Sequence, residues 1–259
     1  MRTLIAVPVF NEERHLEKVL AEIRQATTAD LLVVDDGSTD ATSSILTSIS
    51  DINIIRHRGN IGYGRSLIDA FRFAARREYD WIITMDCDEQ HEPAAIPEFE
   101  AAMELDNADI ISGSRYQLAL ESTDAAPRDR RTINRTITQV INENLGLNLT
   151  DSFCGFKAHR VSAVRDLPLT EAGYAFPMQF WVLAACTGLR IVELPVRLIY
   201  NDPTRHFGGQ LDDPIHRLRH YLEVFYEQLQ MAEALKPGSL VTEASSVLCS
   251  QTDECSKSI

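Results

Sequence analysis

No apolar run in this 259-residue chain approaches the roughly 18–20 residues that cross a bilayer, so a membrane-spanning helix is not expected. Met1 and Arg2 lead straight into a short predicted strand rather than a signal peptide. The expectation is a soluble, cytoplasmic protein, with peripheral membrane contact left open. Positive charge is also short: 25 Lys and Arg against 38 Asp and Glu give a formal net charge of −13. That balance argues against nucleic-acid binding and a basic membrane-surface patch, while local nucleotide sites stay open. The five cysteines, at positions 87, 154, 186, 249 and 255, are odd in number and form no C-x-x-C pair. Neither a disulfide framework nor a zinc site is suggested, and they read as reduced thiols. The turn after the first predicted strand reads VPVFNEE, without the glycine that lets a dinucleotide diphosphate approach, which disfavours a dehydrogenase.

What is present is an ordinary globular mix, 44% hydrophobic and 24% charged, enough for a sizeable core. One domain is expected over residues 1–235, including a helix at 214–235. The Ser- and Thr-rich residues 236–259 are expected to be a disordered tail. Short apolar runs at residues 3–7, 31–34, 52–55, 81–85 and 109–112 read as strands, and each is followed by a turn and a helical stripe such as Leu16, Val19, Leu20, Ile23. This repeat predicts an α/β fold: a Rossmann-like, mostly parallel central sheet with helices on both faces and a C-terminal helix. Pro195 marks a half-buried run at 192–198 as an edge strand.

The stretch DCDEQH at residues 86–91 organises the rest. It follows an apolar strand, so it delivers carboxylates to a sheet rim. Asp86 and Asp88 stand two apart and on extended backbone project the same way, where they can share a hard cation; Gln90 continues the parity with a carbonyl oxygen. Such a cation would hold a diphosphate. A solvated acidic turn is the alternative. Asp35 and Asp36 close the second strand on the same side of the sheet, and Asp36 suits a base or ribose. Asn11 is expected to cap the first helix, with Glu12 and Glu13 at its positive end. Gly59, Gly62 and Gly64 precede a helix and would let backbone approach a phosphate or sugar closely. Arg115 leaves the fifth strand on the diphosphate side. Residues 117–131 read as a mobile loop. A stripe at Ile215, Leu218, Leu222, Phe225 and Leu229 gives a long helix that packs on the core, dimerises or lies on a membrane, packing being the default.

Taken in order, VPVFNEE, VVDDGSTD, GNIGYGRSL, MDCDEQH and ISGSRY resemble the family 2 glycosyltransferases of GT-A fold, across roughly residues 3–209. The branch they look most like is that of dolichol-phosphate mannosyltransferases and polyprenyl-phosphate sugar transferases. The resemblance implies that Pro8, Phe10, Glu12 and Asp36 line a nucleoside pocket, with Phe10 in place of a common tyrosine. It implies that Asp86, Asp88 and Gln90 ligate Mg2+ or Mn2+ and that Arg115 lies at the donor. Thr150 to Lys157 is similar to the branch's D-x-x-S-G-F-R/K segment, with Cys154 at the serine position, which places Asp151 toward the acceptor as the candidate base. Glu171 to Phe176 is similar to its acceptor-side G-Y segment. Arg205 and Gly208 keep the spacing of its R-x-x-G-x-S lid, with Gln210 where the serine stands, so Arg205 would reach the diphosphate.

The activity implied is metal-dependent, inverting transfer of a sugar from a GDP- or UDP-linked donor to an acceptor, a polyprenyl phosphate or a hydroxyl. A phosphate acceptor is already anionic and needs no base; a hydroxyl needs a carboxylate within about 3 Å. A catalytically silent nucleotide-sugar-binding or scaffold protein on the same fold is the alternative, and a homo-oligomer is open.

Overall fold

The computed structural model describes residues 1–88, 91–117, 127–197, 199 and 208–234. Strand and helix alternate through β1 (Thr3–Val9), α1 (Leu16–Ala26), β2 (Asp30–Asp35), α2 (Thr42–Ser48), β3 (Asn53–Arg56), α3 (Tyr63–Arg76), β4 (Trp81–Thr84), α4 (Ile96–Glu104) and β5 (Ile110–Ser114). The second part carries α5 (Arg128–Leu145), β6 (Lys157–Arg160), α6 (Val161–Val164), α7 (Phe176–Cys186), β7 (Ile191–Pro195) and α8 (Pro214–Ala234). One sheet takes the order β3-β2-β1-β4-β6-β5-β7. All its ladders are parallel except the two that β6 makes with β4 and β5.

The apolar runs explain the layering. Successive side chains of a strand point to opposite faces. Leu4 and Ala6 therefore enter one core with Leu32, Val34 and Ile82, whereas Ile5 and Val7 enter the other with Leu31, Val33 and Ile83. Helices α3, α5, α7 and α8 cover the first face, and α1 and α4 the second. Pro8 sits inside the central strand β1, which costs nothing here. The Ala6 carbonyl faces β4, where it accepts the Met85 amide at 3.1 Å, so residue 8 faces the same way, beyond the last β1 to β4 pair, Ala6 with Thr84. A proline is tolerated where no ladder partner remains.

β6 was not legible in advance, because KAHR holds one apolar residue. Its side chains are matched by their neighbours instead: Lys157 Nζ lies 5.5 Å from the Trp181 ring centroid, His159 meets Phe71 and Phe180 edge-on, and the Arg160 guanidinium covers the Trp81 ring. β7 is the sheet edge that Pro195 predicted. Of the loop expected at 117–131, residues 128–131 are already the first turn of α5.

The C-terminal helix α8 packs against α7 and α5, with a face rotated from the predicted stripe. Arg217, Tyr221, Val224 and Phe225 are buried, Leu218, Leu222 and Leu229 are partly so, and Ile215 is 70% exposed. The buried Arg217 decides the rotation, donating to Asp129 on α5 at 2.8 Å and to the Leu211 carbonyl at 2.8 Å. No helix among the described residues is long and apolar enough to cross a membrane. The expected tail at 236–259 lies outside the described residues.

Candidate active site

The chain passes from β1 to β2 on one side, while β4 flanks β1 on the other, so the strand order reverses at β1. Ligands of open α/β sheets bind beyond the carboxyl ends of strands at such a point. A cleft of about 890 Å³ opens there. Pro8, Phe10 and Glu12 line it from β1 and the turn after it, Asp36 from the β2 turn, Asp86 and Asp88 from the β4 turn, and Arg115 from the end of β5. The volume is in the range of small-molecule sites.

β4 stops at Thr84, so the D-C-D segment bends rather than continuing as extended chain. The alternation survives the bend: Met85 and Cys87 enter the core, whereas Asp86 and Asp88 line the cleft. Asp86 is held from three directions. Its Oδ1 accepts the Tyr63 hydroxyl at 3.0 Å, its amide donates to His91 Nδ1 at 3.2 Å, and Gly155 leaves the space in which its carboxylate lies, since a Cβ there would come within 2.3 Å of Oδ2. Burial pushes His91 down to about 4, which keeps the ring neutral and its Nδ1 able to accept. β6 brings Gly155 to this rim: running antiparallel to β4, it starts beside Thr84, whose hydroxyl donates to the Gly155 carbonyl at 2.9 Å.

The β1 and β2 turns hold each other. Asn11, expected to cap α1, has a left-handed φ of 58° and instead accepts the Thr39 amide at 2.8 Å; the N-cap of α1 is His15, with no side-chain cap. Glu13 likewise serves α2, accepting the Ala41 amide at 2.9 Å. Glu12 is 7% exposed and its amide donates to Thr42 Oγ1 at 2.8 Å.

Asp35 is wholly buried on Ser38, Ser43 and Arg56, bonds that keep it below the usual carboxylate range against its burial. Asp36, 4% exposed, takes the amides of Ile61 at 3.0 Å and Gly62 at 2.9 Å, with His57 Nδ1 at 2.7 Å. Two glycines of this loop are required by protein packing, and Gly62 also lines the cleft. Gly62 has φ 111°, and a Cβ on it would lie 2.2 Å from the Ala172 carbonyl oxygen; one on Gly64 would lie 2.3 Å from that of Glu171.

Asp151 and Arg115 are paired with each other. Asp151, assigned toward the acceptor as a candidate base, is fully buried and accepts from Arg115 and Asn134. Opposing its desolvation, the Arg115 charge holds that carboxyl well below the usual carboxylate range, the wrong direction for a base. Arg115 lines the cleft, with the Nε–Nη2 edge of its guanidinium committed to Asp151. Gln90 and Arg205 lie outside the described residues. The sequence reading did not single out Arg130, Ile133, Phe153 and Tyr221, which line the far half of the cleft. Ile133 carries no sequence signal beyond helical spacing, which any core-facing helix shares, and Phe153 none beyond its place in the segment Thr150 to Lys157.

Among the described residues no group of three His, Cys, Asp or Glu side chains converges as a ready-made metal cage. The pair Asp86 and Asp88 still fits a divalent cation, because the donors are hard carboxylate oxygens lining the cleft. Mg2+ keeps several waters and takes one or two carboxylates plus substrate phosphates rather than an all-protein cage.

The sequence model described as glycosyl transferase family 2 matches residues 4–167. An undecaprenyl-phosphate mannosyltransferase of Micrococcus luteus is 32% identical over 77% of this chain and 84% of its own length. A polyprenol monophosphomannose synthase of Mycolicibacterium smegmatis is 26% identical over 75% of this chain and 76% of its own. Among solved structures, glucosyl-3-phosphoglycerate synthase of Mycobacterium tuberculosis superposes with a TM-score of 0.66 at 19% identity, covering 88% of this chain and 80% of that one. That likeness shows the GT-A fold.

Proposed function

This chain belongs to glycosyl transferase family 2, on the branch of the polyprenyl-phosphate sugar transferases, and from that membership we propose that it transfers a hexosyl group, mannose first among those to test, from a nucleoside diphosphate sugar to a polyprenyl phosphate. Residues 1–235 would form the single catalytic domain. The observation that carries the acceptor class is the far half of the cleft. There α5, α7 and α8 contribute Arg130, Ile133, Asn134, Pro177, Arg217 and Tyr221, and among the described residues these helices supply no carboxylate to the lining. Arg130 among apolar side chains suits an anionic headgroup on a hydrocarbon chain, while Arg217 is paired with Asp129. A hydroxyl acceptor would need a base, and the candidate Asp151 is buried in its pair with Arg115.

In this reading Phe10 stacks on the base, while Asp36 acts at one remove by holding the loop that closes the nucleoside end. Asp86 and Asp88 would hold Mg2+ or Mn2+, which when bound offsets charge growing on the leaving diphosphate. Arg205 is assigned to the same diphosphate by its place in the lid motif. A phosphate oxygen of the acceptor attacks the anomeric carbon from the face opposite the leaving group. The new C–O bond forms as the bond to the diphosphate breaks, and the nucleoside diphosphate departs with the electron pair. No proton is transferred, and the anomeric configuration inverts. Incubation with GDP- and UDP-linked hexoses, Mn2+ and undecaprenyl phosphate should yield a lipid-linked hexose by mass spectrometry. Saturable donor binding with no nucleotide release across that panel would instead make the chain a silent binder.

A further inference from the structure

The motif GNIGYGR carries one side chain that the proposed chemistry has not used. Tyr63 is the first residue of α3, and its hydroxyl donates to Asp86 Oδ1 at 3.0 Å across 23 residues of sequence. The ring is braced from the opposite side: Tyr174 stacks on it with centroids 5.9 Å apart and planes 14° off parallel. The backbone that delivers it is fixed as well. The Gly62 amide donates to Asp36, its Cα has no room for a Cβ beside Ala172, and the Arg65 amide donates to the Ala172 carbonyl at 3.1 Å. The carboxylate of Asp86 therefore meets a phenol whose position is set before any ligand arrives. On its other flank the carboxylate occupies the space that a Cβ on residue 155 would fill, 2.3 Å from Oδ2, and Gly155 leaves it open.

We propose that Tyr63 is a positioning residue for the cation site: its hydroxyl fixes the rotamer of Asp86, and Tyr174, from the acceptor-side segment, fixes Tyr63. The proposal rests on the reading of Asp86 and Asp88 as the cation ligands. A ligating carboxylate left to rotate must be ordered at the moment of binding, and loss of such an outer hydrogen bond commonly costs about 10–100-fold in metal affinity. Tyr174 is 41% exposed and lines the same cleft, so the brace reaches from the acceptor half to the cation half.

The test is Mn2+ alone, titrated into the purified full chain and followed by the EPR signal of the free ion. Wild type should bind, Asp88→Asn should not, and Tyr63→Phe should bind about tenfold more weakly with an unchanged melting temperature. Tyr174→Leu, which keeps the hydroxyl but removes the stack, should weaken binding by a smaller factor and serves if Tyr63→Phe does not fold. Equal Mn2+ affinity in wild type and Tyr63→Phe, with Asp88→Asn still inactive in binding, overturns the role of Tyr63 and leaves the cation site standing. Equal uptake by wild type and Asp88→Asn, or none by either, removes the cation site and this proposal with it.

Discussion

Arg115 and Asp151 meet edge to edge, Nε to Oδ2 at 2.6 Å and Nη2 to Oδ1 at 3.0 Å, and the Arg115 amide closes on the same carboxylate at 3.2 Å. The pair joins the end of β5 to the segment that precedes β6, and Asn134 of α5 completes it at 2.8 Å. Breaking a buried pair by removing one partner strands the other charge, at a cost of about 3–5 kcal/mol. Asp151→Ala should therefore lower the stability measured by urea unfolding by that order. A loss of activity with unchanged stability would mean the carboxylate works in catalysis instead.

Asp88→Ala tests the opposite kind of residue, one at the cleft whose loss should spare the core. Transfer should fall by at least about a hundredfold, as when a preorganised charge-stabilising group is removed, with the melting temperature little changed. A normal rate in Mn2+-containing buffer would take the cation away from this position.

The glycines separate fold from function. Gly62→Ala forces a left-handed φ of 111° and a backbone clash at 2.2 Å, and should cost about 1–3 kcal/mol in unfolding experiments. Gly155→Ala meets a movable carboxylate, at 2.3 Å from Asp86 Oδ2, so it should spare most stability while weakening Mn2+ binding and transfer. The two variants behaving alike would contradict the distinction.

Far from the cleft, Asp109 accepts the Arg190 amide at 3.0 Å and its Nη2 at 2.8 Å, clamping β5 to β7. Those bonds bring Asp109 down to about 2 from an ordinary value near 4. Because the folded value lies below the unfolded one, the contribution is complete above about pH 4 and fades as pH falls toward about 2. With Arg190 half exposed, solvent screening leaves it on the order of 1 kcal/mol. Wild type and Asp109→Asn should differ in stability at pH 5 and converge near pH 2; a gap that widens on acidification would reverse the assignment.

The sequence by itself determined the frame. β1, β2 and β4 announce themselves because their side chains are apolar on both faces, and β5 by the pair Ile110 and Ile111, local signals that need no knowledge of neighbours. The carboxylates that end those strands share a rim because parallel strands point one way, so Asp36, Asp86 and Asp88 were identifiable as a group. What only the tertiary structure decided is how each polar group is spent. β6 is a strand because Trp181, Phe180 and Trp81 receive its polar side chains, and those partners are scattered along the chain. Asp151 turned from candidate base to buried counter-ion because Arg115 lies 36 residues away in sequence and in contact in space. Asp36 holds a loop, and Tyr63 holds Asp86, for the same reason. Apolar burial is written in local periodicity, whereas a hydrogen bond is chosen by whichever donor the fold brings within about 3 Å.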